Sequence, residues 1–184
     1  MHTVFISGSM RIKNLDNNII ERINNIIDSN FKIIVGDADG VDSSIQEYLV
    51  KKNTESVVVY CSGETPRNNM GSWDIKKIDT KISPGTRAFF TVKDIEMAED
   101  CDYGLMVWDT KSTGTLSNAI ELIARKKMAL IYINKVKEFL KIKNASDLEK
   151  LVSYMSESAF IKADKKIKLK DRINSFKHEQ RNLF

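Results

Sequence analysis

The segment Leu105-Met106-Val107-Trp108-Asp109-Thr110-Lys111-Ser112-Thr113-Gly114-Thr115 constrains the chain most. It is an apolar run that breaks into a polar, glycine-containing turn and passes into helix-forming sequence. A strand ending in such a turn and followed by a helix is how an open α/β sheet builds a seat for a phosphate or a ribose. At Gly114 no Cβ keeps a ligand away from the backbone. The free N–H groups of a helix beginning near Thr115 would point at whatever sits there, which favours an anion.

Two further turns repeat the pattern. Phe31-Lys32-Ile33-Ile34-Val35 reads as a buried strand and runs into Gly36-Asp37-Ala38-Asp39-Gly40-Val41-Asp42 before the helical spacing of Ile45, Tyr48 and Leu49. The first strand, Thr3-Val4-Phe5-Ile6, ends in Ser7-Gly8-Ser9-Met10-Arg11. In a parallel sheet all three turns lie on one side.

The remaining chain alternates strand and helix. Leu15, Ile19, Ile20, Ile23, Ile26 and Ile27 mark one helical face, with Asn14 or Asp16 as caps. A helix over about 41–51 and a strand at 57–60 follow. Residues 62–87 hold both prolines, three glycines and Trp73 without a clear period, and read as a long loop or excursion. Helix 88–100, strand 103–108, helix 115–126 and strand 128–133 complete the pattern. It predicts an α/β, Rossmann-like, doubly wound parallel sheet of five strands in the order 3-2-1-4-5, occupying residues 1–134. The switch point then falls between the first and fourth strands, with the turns at Gly8-Ser9 and Asp109–Gly114 facing each other and Gly36-Asp37 alongside.

With 184 residues, 42% hydrophobic and 29% charged, the chain can bury a substantial core. No apolar run approaches the ~20 residues needed to cross a bilayer, and the start lacks a signal-peptide pattern, so a cytoplasmic location without membrane association is expected. Cys61 and Cys101, each beside strand-like sequence, are expected as reduced thiols. Two cysteines and the near-terminal His2 and His178 make no metal site, and no resident cofactor is expected.

Ile6-Ser7-Gly8-Ser9, then Ile34-Val35-Gly36-Asp37-Ala38-Asp39-Gly40-Val41-Asp42, then Ser112-Thr113-Gly114-Thr115 resemble, in order, motifs of the SLOG superfamily. That group contains the Lonely Guy (LOG) phosphoribohydrolases, the Rossmann-like domain of DNA-processing protein A and many uncharacterised nucleotide-sensing domains. The likeness covers about residues 3 to 133 and includes a Gly-x-Asp step at Gly40-Val41-Asp42. It implies a nucleotide or nucleotide-derived ligand. LOG enzymes carry Pro-Gly-Gly-x-Gly-Thr-x-x-Glu, whose glutamate assists cleavage of the N-glycosidic bond, and nucleoside deoxyribosyltransferases use a glutamate at the same offset as nucleophile. Here Thr110-Lys111-Ser112 replace Pro-Gly-Gly, and Asn118 stands in the glutamate position. An amide hydrogen-bonds a ribose hydroxyl but cannot act as carboxylate base or nucleophile. Glu121 and Asp109 are the carboxylates that remain as catalytic candidates.

The expected ligand-binding set is Gly8, Ser9, Gly36, Asp37, Gly40, Asp42, Arg67, Asp109, Ser112, Gly114, Thr115 and Asn118. Arg67 offers a planar fork for a phosphate. Trp73 and Trp108 are candidates for stacking on a base or for the core, and Lys93-Asp94 reads as an exposed charged pair. Ala88, Phe89, Phe90, Val92, Ile95 and Met97 spread apolar character around their helix. This suggests a homodimer or larger oligomer through helices 88–100 and 115–126, with Arg87 or Lys93 contributed to a neighbour's crevice.

Residues 135–184 read as a helical, basic extension. Ser146-Asp147-Leu148-Glu149 looks like a capping box, and residues 161–184 carry a net charge of +5 against −1 for the rest. The final Gln180-Arg181-Asn182-Leu183-Phe184 resembles peptides that bind bacterial sliding clamps. Three functional readings follow: a binding or sensing domain for a nucleotide-like molecule, a hydrolase or transferase acting on a nucleotide N-glycosidic bond, and a DNA-associated accessory protein using the basic tail.

Overall fold

The computed structural model describes residues 1–181, with side chains described through His178. The tail of the clamp-like peptide, 182–184, lies outside the described residues. Five parallel strands form the centre of the sheet: β1 (Thr3–Gly8), β2 (Lys32–Gly36), β3 (Val57–Ser62), β5 (Tyr103–Trp108) and β6 (Met128–Ile133). They are ordered β3-β2-β1-β5-β6, the five-strand order expected. The sheet has seven strands, however. β4 (Asp74–Ile78) adds to β3 in parallel, and β7 (Glu138–Ile142) returns antiparallel to β6.

Both additions fall where the sequence predicts a loop and a helical extension. β4 is Asp-Ile-Lys-Lys-Ile, an outer strand whose lysines suit an exposed edge and break the alternation that marks a half-buried strand. β7 follows a four-residue turn, 134–137, in which the Lys137 amide donates to the Ile133 carbonyl and Lys137 takes a left-handed φ of 60°.

Both sheet faces are covered, as a strict two-residue alternation shows. Val4, Ile6, Ile33, Val35, Leu105 and Val107 point to the face packed by α1 (Asn17–Asp28) and α2 (Val41–Lys51). Phe5, Ile34, Met106 and Trp108 point to the other face, packed by α3 (Arg87–Asp100) and α4 (Thr113–Ala124). The same core takes in Leu148 and Leu151 of α5 (Ala145–Val152), Ala163 of α6 (Glu157–Ile167), and Leu169 and Ile173 of α7 (Leu169–Arg181). The C-terminal helices therefore share the core of the sheet.

Helix boundaries move where side chains cap them. Asp16 caps α1 by accepting from the Asn18 amide, as the sequence suggests. Ser112 caps α4, which begins two residues earlier than expected, and Asn144 rather than Ser146 caps α5 by accepting from the Asp147 amide. Trp108 is 1% exposed and its Nε1 donates to the Ser112 carbonyl, while the Trp73 indole donates to the Thr54 carbonyl. Both tryptophans are used in packing. Of the apolar positions on α3, Phe89 and Met97 are buried, Phe90 and Val92 half-buried, and Ala88 and Ile95 exposed. Cys61 and Cys101 are buried and free. Among the described residues no helix is long and apolar enough to cross a membrane.

Candidate functional site

The crevice forms between β1, whose crossover through α1 leads to β2, and its neighbour β5, whose crossover through α4 leads the opposite way to β6. It has a volume of about 750 Å³. Of the predicted residues, Gly8, Asp42, Arg67, Asp109, Ser112, Gly114, Thr115 and Asn118 line it. Ser9, Gly36, Asp37 and Gly40 lie behind this lining and shape it. Glu121 lies in an adjoining groove, held by Arg125 Nη1 at 2.6 Å and Arg172 Nη2 at 2.8 Å.

On the β5 side the turn is built by its own polar side chains. The Asp109 carboxylate accepts from the amides of Lys111 (2.9 Å) and Ser112 (2.6 Å), and buried Thr110 takes a left-handed φ of 64°. Ser9 Oγ accepts from the Asp109 amide at 3.1 Å and lies 3.4 Å from Thr115 Oγ1, which ties the β1 turn to the start of α4. Ser112 Oγ receives hydrogen bonds from the Thr115 amide and hydroxyl. The amides of Thr113 and Gly114 have no partner among the described residues. A Cβ built on Gly114 meets nothing closer than Ser112 Oγ at 4.0 Å, so this glycine opens onto free space. Asn118 is buried at the floor, its Nδ2 3.3 Å from Ser7 Oγ.

On the β2 side the site rests on a buried charge network. Asp37, 2% exposed, takes three hydrogen bonds from Arg67: from its backbone amide, from Nε and from Nη2 at 2.7 Å. The Arg67 guanidinium also lies 4.2 Å over the Phe90 ring. Burial works against the Asp37 charge, but the Arg67 hydrogen bonds and the nearby Lys93 ammonium outweigh it and hold the carboxyl below its ordinary range. The Asp37 carboxylate is thus spent on aiming Arg67. Gln46, completely buried, fastens the 63–73 connection to this turn: its Nε2 donates to the carbonyls of Gly36 and Asn68, and its Oε1 accepts from the Met70 amide. Gln46 was missed by sequence reading, because a glutamine facing inward from a helix has no distinctive local signal.

Lys93 corrects an expectation. Instead of sitting on an exposed surface or reaching a neighbouring subunit, it is 3% exposed within its own chain, 2.6 Å from Asp94 and 4.0 Å from Asp37. Asp94 and Asp42 keep it charged against the cost of burial and raise its pKa. Asp42, also 3% exposed, has an unpartnered Oδ1 atom. Burial pushes its carboxyl up to about 7, with Lys93 opposing and Asp94 adding to the rise. A Cβ on Gly36 would strike the Asp42 carboxylate and come within 2.7 Å of Lys93 Nζ, so this glycine is needed for the network to close over the strand end. Gly40, at φ 79°, starts α2 tight against the Met10 backbone, and Gly8 runs against the Val107 carbonyl.

The fold is similar to that of a solved structure of DNA processing protein A from Helicobacter pylori, reported for the single-stranded DNA binding mode of that protein. The TM-score is 0.55 at 20% identity, over 71% of this chain and 64% of that chain. The likeness extends to the α/β fold, and the chain spans about 64% of that protein's length. No family model and no curated protein matches the chain.

The third wall of the crevice comes from the C-terminal extension. Ser156, Ser158, Ala159, Lys162 and Lys166 of α6 and its cap face the cleft, and Arg11, Arg87 and Lys111 stand on its other sides. None of these five cationic side chains forms an ion pair among the described residues.

Proposed function

We propose that the crevice binds a phosphorylated nucleoside, with the phosphate at the amino end of α4. The carrying observation is the pair of unpartnered amides at Thr113 and Gly114, which open onto a cleft rimmed by unpaired cations. Arg67, preset by Asp37 and Phe90, offers a second donor group. Binding or sensing fits this arrangement better than glycosidic cleavage. Asn118 stands where related enzymes use a glutamate, Glu121 is engaged by two arginines, and Asp109 is occupied with its own turn.

Binding of single-stranded nucleic acid is the second reading, favoured by the fold likeness to a protein that binds single-stranded DNA and by the unpaired basic side chains of α6. A panel of nucleoside mono-, di- and triphosphates and a short oligothymidylate, read by thermal shift and calorimetry, separates the two. A shift with a free nucleotide that is lost in Gly114→Val supports the first reading. Silence across the nucleotides with binding of the oligonucleotide replaces it by the second.

A further inference from the structure

The wall formed by α6 brings cations of its own to the crevice. Lys162 and Lys166 are four residues apart, so they stack on one face of the helix, and both line the crevice. Neither has a carboxylate partner among the described residues, although nearby Lys170 pairs with Asp164 and Arg172 with Glu121. Two like charges on adjacent turns repel, and the repulsion is relieved when an anion lies between them. The amino end of α6, with Ser156 capping the Ala159 amide, adds a second helix terminus to the same cleft. Asp42 also lines the cleft, almost fully buried, and its Oδ1 atom has no protein partner. A buried carboxyl oxygen left in this state calls for a hydrogen bond from a ligand.

Resting on the phosphorylated-nucleoside reading, we infer that the natural ligand is a nucleotide with phosphate groups at two separated positions. One is held at the amino end of α4 and the other by Lys162 and Lys166, with Asp42 hydrogen-bonded to a sugar hydroxyl. This assigns the C-terminal helices a direct part in recognition. A ligand with a single phosphate fills only one of the two anion sites.

The test is calorimetric titration of the full chain with AMP, ADP and adenosine 3′,5′-bisphosphate at low salt, for the parent and for the double variant Lys162→Gln/Lys166→Gln. Both lysines are exposed, so the exchange leaves the core untouched. The parent is expected to bind the bisphosphate about tenfold or more tightly than AMP, as a second charge-assisted contact provides. In the double variant the ratio of the two affinities is expected to fall to about one. Equal affinities in the parent, an equal gain with ADP, or a ratio unchanged in the double variant would overturn the two-phosphate inference and leave the binding of AMP standing. Absence of binding by all three nucleotides would overturn this inference together with the reading on which it rests.

Discussion

Gly36→Ala and Gly114→Ala add the same methyl group to two glycines of the crevice, and the structure assigns them different outcomes. At Gly36 the new Cβ meets the Asp42 carboxylate and lies 2.7 Å from Lys93 Nζ, and both side chains are 3% exposed. Although both contacts are side-chain ends, neither can swing into water. Lys93 can retreat only by giving up Asp94 at 2.6 Å and Asp37 at 4.0 Å. Overpacking of a core by one methyl costs about 1–3 kcal/mol, and loosening a buried charge from its partners adds to this. A net loss of about 2–4 kcal/mol is expected, which for a chain of this size lowers Tm by roughly 5–15 °C. At Gly114 the Cβ enters open space in the first turn of α4, and alanine's better helix propensity adds up to about 0.5 kcal/mol. Urea and thermal denaturation followed by far-UV circular dichroism measure both variants against the parent. A Gly36→Ala protein within about 0.5 kcal/mol of the parent, or a Gly114→Ala protein as damaged as it, would refute the close-packed charge network at the end of β2.

Other consequences follow from the same network. Asp42 keeps its proton to about pH 7 when folded but has an ordinary value of 3.8, so folding takes up a proton between these limits. Stability should therefore fall as pH rises through this window, by up to about 4 kcal/mol at about 1.4 kcal/mol per unit. Asp42→Asn should flatten that fall in denaturation curves recorded from pH 4 to pH 8. Arg67→Ala takes both guanidinium hydrogen bonds from the buried Asp37 carboxylate, leaving it the residue-67 amide and Lys93, and is expected to cost about 2–4 kcal/mol in urea denaturation, with loss of nucleotide binding. Incubation with nucleoside monophosphates should release no free base at rates near ~1 per second, measured by chromatography, because Asn118 supplies no carboxylate.

Much of the arrangement was legible in the sequence because its signals are local. Apolar runs such as Ile33–Val35 and Leu105–Trp108, each closed by a glycine or acidic turn and followed by helical spacing, specify parallel strands buried on both faces. Their succession places the switch point between β1 and β5 and brings Gly8, Asp109, Ser112 and Gly114 to one crevice. Other features depend on neighbours that no local pattern names. β4 and β7 are five-residue segments without a regular apolar–polar alternation and become strands because β3 and β6 offer open edges. Lys93 beside Asp94 reads as surface until α3 packs on the sheet and encloses the ammonium between Asp94 of its own helix and Asp37 and Asp42 around the start of α2. In the same way Asp37 reads as a ligand group until Arg67, thirty residues later, folds back and occupies it. The C-terminal helices become a wall of the crevice only through the core they share with the sheet at Ala163 and Leu169. Strand and turn preferences act over a few residues and can be read along the chain, whereas charge pairing, edge pairing and burial are set by distances that exist only once the chain has folded.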